Sequence, residues 1–214
     1  MPFADPTGQS DEELRDQLSE YFGFTDDAAL ARLRAAQTRY GGLRYYSRSF
    51  GHHVVFEPCP EYDAEDGEPI AWFIDHAVAS PLAVWMLADG VIAYCFPGSH
   101  VGKAVPVFRS GDALIEADAL HQECTTWTRV DGPQGLGATT VRAAAERMRL
   151  PLLEAASGFT EAWWERDGFR LHASLTFAEV FESPEEAGWR IWADGASGKD
   201  AALSFLTQAA AQLR

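Results

Sequence analysis

Asparagine is absent from this 214-residue chain, and Lys103 and Lys199 are the only lysines among its 17 basic residues. Without asparagine there is no acceptor for N-glycosylation. The preference for arginine is compositional and carries no function. Positive charge is scarce overall: 32 acids against 17 bases leave a net charge of −15. That excludes nucleic-acid binding as a leading reading, because phosphate affinity depends on Lys and Arg displacing counterions. Cysteine is also sparse. Cys59, Cys95 and Cys124 are odd in number and widely spaced, which suits free thiols in a reducing cytoplasm rather than a disulfide framework. No apolar stretch approaches the roughly 18 residues needed to span a bilayer. The opening residues Met1–Leu14 have neither the basic region nor the apolar run of a signal peptide. A cytoplasmic protein with no membrane partner is the expectation.

Between Arg48 and Lys103 there is no cation at all, yet the interval holds Glu57, Glu61, Asp63, Glu65, Asp66, Glu68, Asp75 and Asp89. Six of these eight carboxylates crowd into Glu57–Glu68. Charge at that density attracts a basic partner and repels nucleic acid and anionic membranes. A solvated surface loop is the bland alternative. The partner-binding reading places Glu57, Glu61, Tyr62, Asp63, Glu65, Asp66 and Glu68 at an interface, with Tyr62 as its aromatic contact.

Ser10-Asp11-Glu12-Glu13 forms an S-x-x-E capping box, opening a helix with Leu14, Leu18, Tyr21 and Phe22 on one stripe. Thr25 caps a second helix, with Ala29, Leu33, Ala36 and Tyr40 facing inward and Gly41-Gly42 ending it. Short strands follow at 43–47, 52–57 and 70–75. The hairpin Leu82–Leu87/Val91–Phe96 turns at Asp89-Gly90, and Pro106 marks 104–108 as an edge strand. A helix from Asp112 to about Cys124 precedes Gly132–Gly137 (G-P-Q-G-L-G), the clearest linker. Beyond it come a helix carrying Val141, Ala144, Ala145 and Met148, a hairpin 161–166/169–175 turning at Asp167-Gly168, a strand 189–193 and a closing helix. The expected class is α+β: N-terminal helices, an antiparallel meander, then a helix and a smaller α/β C-terminal lobe docked on it. The expected domains are 1–131 and 138–214.

Catalytic and cofactor motifs are missing. Gly98–Lys103 has three residues between its glycines where a phosphate loop needs four, and Ala104 stands where a Mg²⁺-binding hydroxyl belongs. The histidines His52, His53, His76, His100, His121 and His172 make no H-x-x-x-H pattern, and adjacent His52 and His53 point to opposite faces of a strand. Ser99 and His100, as chain neighbours, cannot form a triad. Cys59, between Pro58 and Pro60, has only acids near it, which raise a thiol pKa, so it reads as inert. The seven tryptophans are core residues by default. One of Trp163 and Trp164, on opposite faces of a strand, could be an exposed interface anchor. Hence no catalytic residues, metal or cofactor are expected.

Asp26–Tyr45 resembles the opening of the SUKH superfamily, whose first helix ends in Gly-Gly after an aromatic residue or Asn, here Tyr40-Gly41-Gly42, and runs into an antiparallel sheet. The strand 70–75 and the Trp85–Tyr94 hairpin are similar to that family's sheet. The likeness covers about residues 10–127, and the proline many members carry before the second helix is missing. What the resemblance implies is a non-enzymatic immunity protein of a bacterial polymorphic toxin system, binding a cognate toxin domain to block it. A basic toxin would meet this acidic surface with electrostatic steering. The rival reading is a small hydrolase or transferase with a site between the sheet and the later lobe, using Asp75, His76 and His100 as acid–base groups.

Overall fold

The structure is a computed structural model that describes residues 10–22, 27–60, 70–76, 82–87, 89–96 and 104–211. The chain divides into two compact units, Met1–Gly111 and Asp112–Arg214. Both combine helices with an antiparallel sheet, so the class is α+β.

In the first unit, helices α1 (Asp11–Phe22) and α2 (Asp27–Tyr40) pack against strand β2. The capping box closes α1: the Ser10 amide donates to Glu13 Oε2 at 2.7 Å, and the Glu13 amide to Ser10 Oγ at 3.2 Å. Because Ser10 donates to it, the Glu13 carboxyl lies below the usual range. Leu14, Leu33, Ala36 and Tyr40 are buried; the Leu18, Tyr21, Phe22 and Ala29 side chains lie outside the described residues, as do Thr25 and Leu213. Gly42 ends α2 at φ +77°, a left-handed conformation that glycine adopts at least cost. Its amide bonds the Phe56 carbonyl at 2.9 Å, steering the chain into the sheet.

That sheet is a meander in sequence order: β1 (Arg44–Ser47), β2 (His52–Pro60), β3 (Ile70–His76), β4 (Ala83–Leu87), β5 (Ile92–Cys95) and β6 (Val105–Phe108). Pro106 is exposed on β6, at the sheet's edge, where its missing N–H costs no ladder bond. Tyr40, Phe56 and Phe73 form the aromatic centre, with both ring pairs onto Phe73 at 5.3 Å and edge-on. Strand β2 runs three residues beyond the expected 52–57. Its pairing with β3 shifts between Phe56 and Cys59, and buried Gln37 of α2 donates to the Pro58 carbonyl at 3.0 Å within that bulge. A side chain therefore supplies the bond that the irregular ladder omits.

The second unit contains α3 (Gly111–Glu123, starting at the boundary), β7 (Thr128–Arg129), α4 (Ala138–Arg147), β8 (Glu161–Arg166), β9 (Phe169–Ser174), α5 (Thr176–Val180), β10 (Gly188–Ala193) and α6 (Gly195–Ala211). The sheet order is β7-β10-β9-β8. On one face Trp164, Leu171 and Ile191 pack with Val141, Ala144 and Ala145 of α4 and with Phe205 and Leu206 of α6. The β8–β9 hairpin turns with Asp167 at φ +50° and Gly168 at φ +76°, the twist a two-residue turn requires. The Asp194 amide bonds Gly168's carbonyl at 2.7 Å, and a Cβ at Gly198 would overlap that same carbonyl oxygen. The outer edge of β8 is covered by the preceding chain: Leu153 donates to Trp163, Gly158 to Glu161, and Glu165 to Pro151.

Two expectations are corrected here. The division falls after Gly111, not at 132–137, because β7 pairs with β10 and so ties the chain before the glycine-rich stretch to the C-terminal sheet. Gly132–Gly137 is packed within the second unit: the Trp189 ring lies against Gly132, and Trp189 Nε1 donates to the Leu136 carbonyl at 2.6 Å. Trp163 and Trp164 are both buried, at 0% and 2% exposure, so neither is an exposed anchor. A second layer covers each face of their strand.

Candidate functional site

Of the sequence-derived interface residues, Glu57 is described, half-buried on β2. Glu61, Tyr62, Asp63, Glu65, Asp66 and Glu68 lie outside the described residues. Their place in the chain is nonetheless framed: β2 ends at Pro60, which pairs with Ala71 near the start of β3. The acidic segment thus leaves and rejoins the sheet at neighbouring positions. Asp75 is exposed on β3 and Asp89 in the β4–β5 turn, where Asp89 Oδ1 accepts from the Val91 amide at 3.0 Å. Of the rival acid–base groups, His100 and the His76 side chain lie outside the described residues. Gly98–Lys103 does too. Cys59 sits half-buried in β2 opposite Trp72, not in an exposed loop.

The densest polar chemistry lies on the second face of the C-terminal sheet. Strand alternation puts Glu161, Trp163 and Glu165 of β8 on that face, beside Ser174, His172 and Arg170 of β9 and Arg190 and Trp192 of β10. Glu161 is buried and fully engaged. Its Oε2 lies 2.5 Å from His172 Nε2, and its Oε1 accepts from Ser174 Oγ at 2.5 Å and from the Thr176 hydroxyl. Thr176 Oγ1 is in turn 2.7 Å from Thr160 Oγ1. Burial pushes the Glu161 carboxyl up. The His172 charge and the three donors outweigh that and hold it below the usual range.

Around His172 the rings close in. Trp163 stacks on it at 4.5 Å, and His121 of α3 meets it edge-on at 4.7 Å. His121 also stands edge-on to Trp163 at 4.6 Å and to Trp192 at 5.8 Å. Burial, then the His172 charge, then Arg190 push the His121 pKa down to about 2, so the ring is neutral at ordinary pH. Trp163 Nε1 is buried with no hydrogen-bond partner.

Next to this cluster, Arg170 is held by Glu165 at 2.6 Å and Glu123 at 2.5 Å, and its guanidinium lies 4.6 Å from the centre of the Trp127 ring. Burial works against its charge, but the two carboxylates outweigh it and raise its pKa. Cys124, beneath it, is pushed up to about 11 by burial, and so is a thiol, not a nucleophile, at neutral pH.

Sequence spacing gives no sign that His121 and His172 meet, since they lie on α3 and β9. The signal lies in the alternation of F-R-L-H-A-S, which puts Arg170, His172 and Ser174 on one face, and in Glu161 and Glu165 flanking Trp163 on the matching face of E-A-W-W-E-R. Among the described residues, no group of three or more His, Cys, Asp and Glu side chains is placed to hold a metal, and no helix is long and apolar enough to cross a membrane. No family model, curated protein or solved structure matches this chain.

Proposed function

We propose that this chain is a non-enzymatic protein-binding module of the cytoplasm, an immunity protein that neutralises a basic toxin domain through the acidic segment around Glu57–Glu68. The supporting observation is the one-signed interval from Arg48 to Lys103 and its framing by the sheet. Pro60 and Ala71 pair at the strand ends, so the run of carboxylates joins two paired strands of the meander. A concentrated negative field accelerates encounter with a basic partner, and that acceleration weakens as salt rises.

The experiment replaces Glu61, Asp63, Glu65, Asp66 and Glu68 together with Gln or Asn. Melting should hold or rise slightly, because mutual repulsion is removed. Association with a basic toxin domain encoded beside this gene should slow, and the wild-type rate should fall with salt. Unchanged, salt-independent association would overturn the proposal. A second reading, an enzyme using His172 as an acid–base group, is favoured by the carboxylate that orients that imidazole. Turnover of chromogenic ester, amide or phosphoester substrates, lost in His172→Gln, would replace the first reading with this one.

A further inference from the structure

Helix α5 turns Thr176 and Val180 inward, both 1% exposed, and thereby turns Phe177 and Phe181 outward, each 39% exposed. The two rings stack at 6.1 Å with an 18° interplanar angle. Phe159, before Thr160 in the chain, is 48% exposed. Its neighbour Thr160 is fixed to α5 through the Thr176 hydroxyl at 2.7 Å and through its carbonyl, which accepts from the Leu175 amide at 2.9 Å. Partly exposed apolar rings carried by one short helix and by the strand end bonded to it form a contact patch rather than scattered exposure. Between Arg170 and Arg190 the chain has no Lys or Arg, while Glu179, Glu182, Glu185 and Glu186 are all exposed. Arg142 donates to the Phe159 carbonyl and pairs with Glu146.

We infer that Phe159, Phe177 and Phe181 form a docking face for a basic, amphipathic protein segment, whose apolar side covers the rings and whose Lys or Arg residues meet the surrounding glutamates. Charge decides the occupant. A second copy of a chain carrying −15 would bring like charge to the rim, and nucleic acid or an anionic membrane would be repelled. Beneath the patch, the bond from Thr176 to Glu161 of β8 holds α5 to the sheet, so the rings are presented from a fixed base. The inference rests on the reading of this chain as a protein-binding module and places a second contact surface outside the acidic segment.

The probe is a synthetic helical peptide with leucine on one face and lysine on the other, titrated into the full chain and followed by hydrogen exchange and calorimetry. Controls are a Leu/Glu peptide and a Lys/Gly peptide. The expected result is protection of residues 176–187 by the Leu/Lys peptide alone. Affinity should fall with salt and fall by about tenfold or more in Phe177→Ser/Phe181→Ser. Phe159→Ser provides a second variant outside the helix. Equal affinity in these variants, or equal binding of the Lys/Gly peptide, would overturn the inference. So would a wild-type dimer that the Phe variants dissolve, or adsorption of wild type to neutral or anionic vesicles. If the Phe variants bind normally while neutralising Glu61–Glu68 abolishes binding, this face fails and the protein-binding reading stands. If neither change matters, both fail.

Discussion

Protonating His121 should undo the packing of α3 on the C-terminal sheet, and the size of the effect follows from its surroundings. The groups facing the ring are His172 of β9, held against Glu161 of β8, and Arg190 of β10; Arg170 lies beyond, clamped by Glu165 of β8 and Glu123 of α3. Arg190 carries the same sign as a protonated His121 ring and opposes its charge. The folded pKa, about 2, is below the ordinary histidine value of 6.5. The unfolded chain therefore binds more protons below pH 6.5, and stability present above that pH is lost as it falls. Each pH unit removes about 1.4 kcal/mol, so about 3 kcal/mol is gone at pH 4. Glu161 works in the same direction but in a lower window: its folded pKa is below 4.5, so its contribution disappears only as pH drops through that lower value. His121→Phe keeps an aromatic ring and removes the titration. Denaturant unfolding followed by tryptophan fluorescence from pH 7 to 4 should show the wild type losing about 3 kcal/mol more than His121→Phe, or about 6–12 °C in melting temperature. Parallel profiles for the two proteins between pH 7 and 4.5 would refute the assignment of the acid loss to His121.

Gly198→Ala should destabilise the second unit by about 1–3 kcal/mol, since the added methyl meets the Gly168 carbonyl, backbone that a turn and the Asp194 bond hold in place; thermal unfolding measures it. Gln37→Met should cost the first unit about 1–3 kcal/mol, because the Pro58 carbonyl loses its buried donor; chemical denaturation checks this, and a loss below 0.5 kcal/mol would mean water takes over the bond.

Local chemistry was readable from the residues alone. The Ser10/Glu13 box, the Gly42 stop and the turns at Gly90 and Gly168 all occur where short-range rules put them, because each depends on neighbours within four positions. Pairings over long distances were not readable. Nothing around Thr128–Arg129 announces a strand; β10 makes it one. The glycines at 132–137 suggested a linker, but Gly132 is small because an indole lies on it. The cluster at Glu161 failed to register because His121 and His172 meet only when α3 reaches the sheet. The extension of β2 through Pro58 was hidden for the same reason: its bulge is supported by Gln37, 21 residues away.

The order of strands in the two sheets implies different folding schedules. Among the described residues of the first unit each ladder joins consecutive strands, so each pairing closes a short loop at little entropic cost. The same holds for β8, β9 and β10. Strand β7 is the exception, because Thr128 and Arg129 must wait for Ala193 and Trp192 at the far end of the unit. Until those residues emerge and pair, α3 has no completed sheet on which to set His121. During synthesis Thr128 and Arg129 would therefore gain protection only after β10 has emerged. In pulse-labelled refolding their amides should close after those of the β8–β9 hairpin, which sets the pace for the aromatic cluster to form.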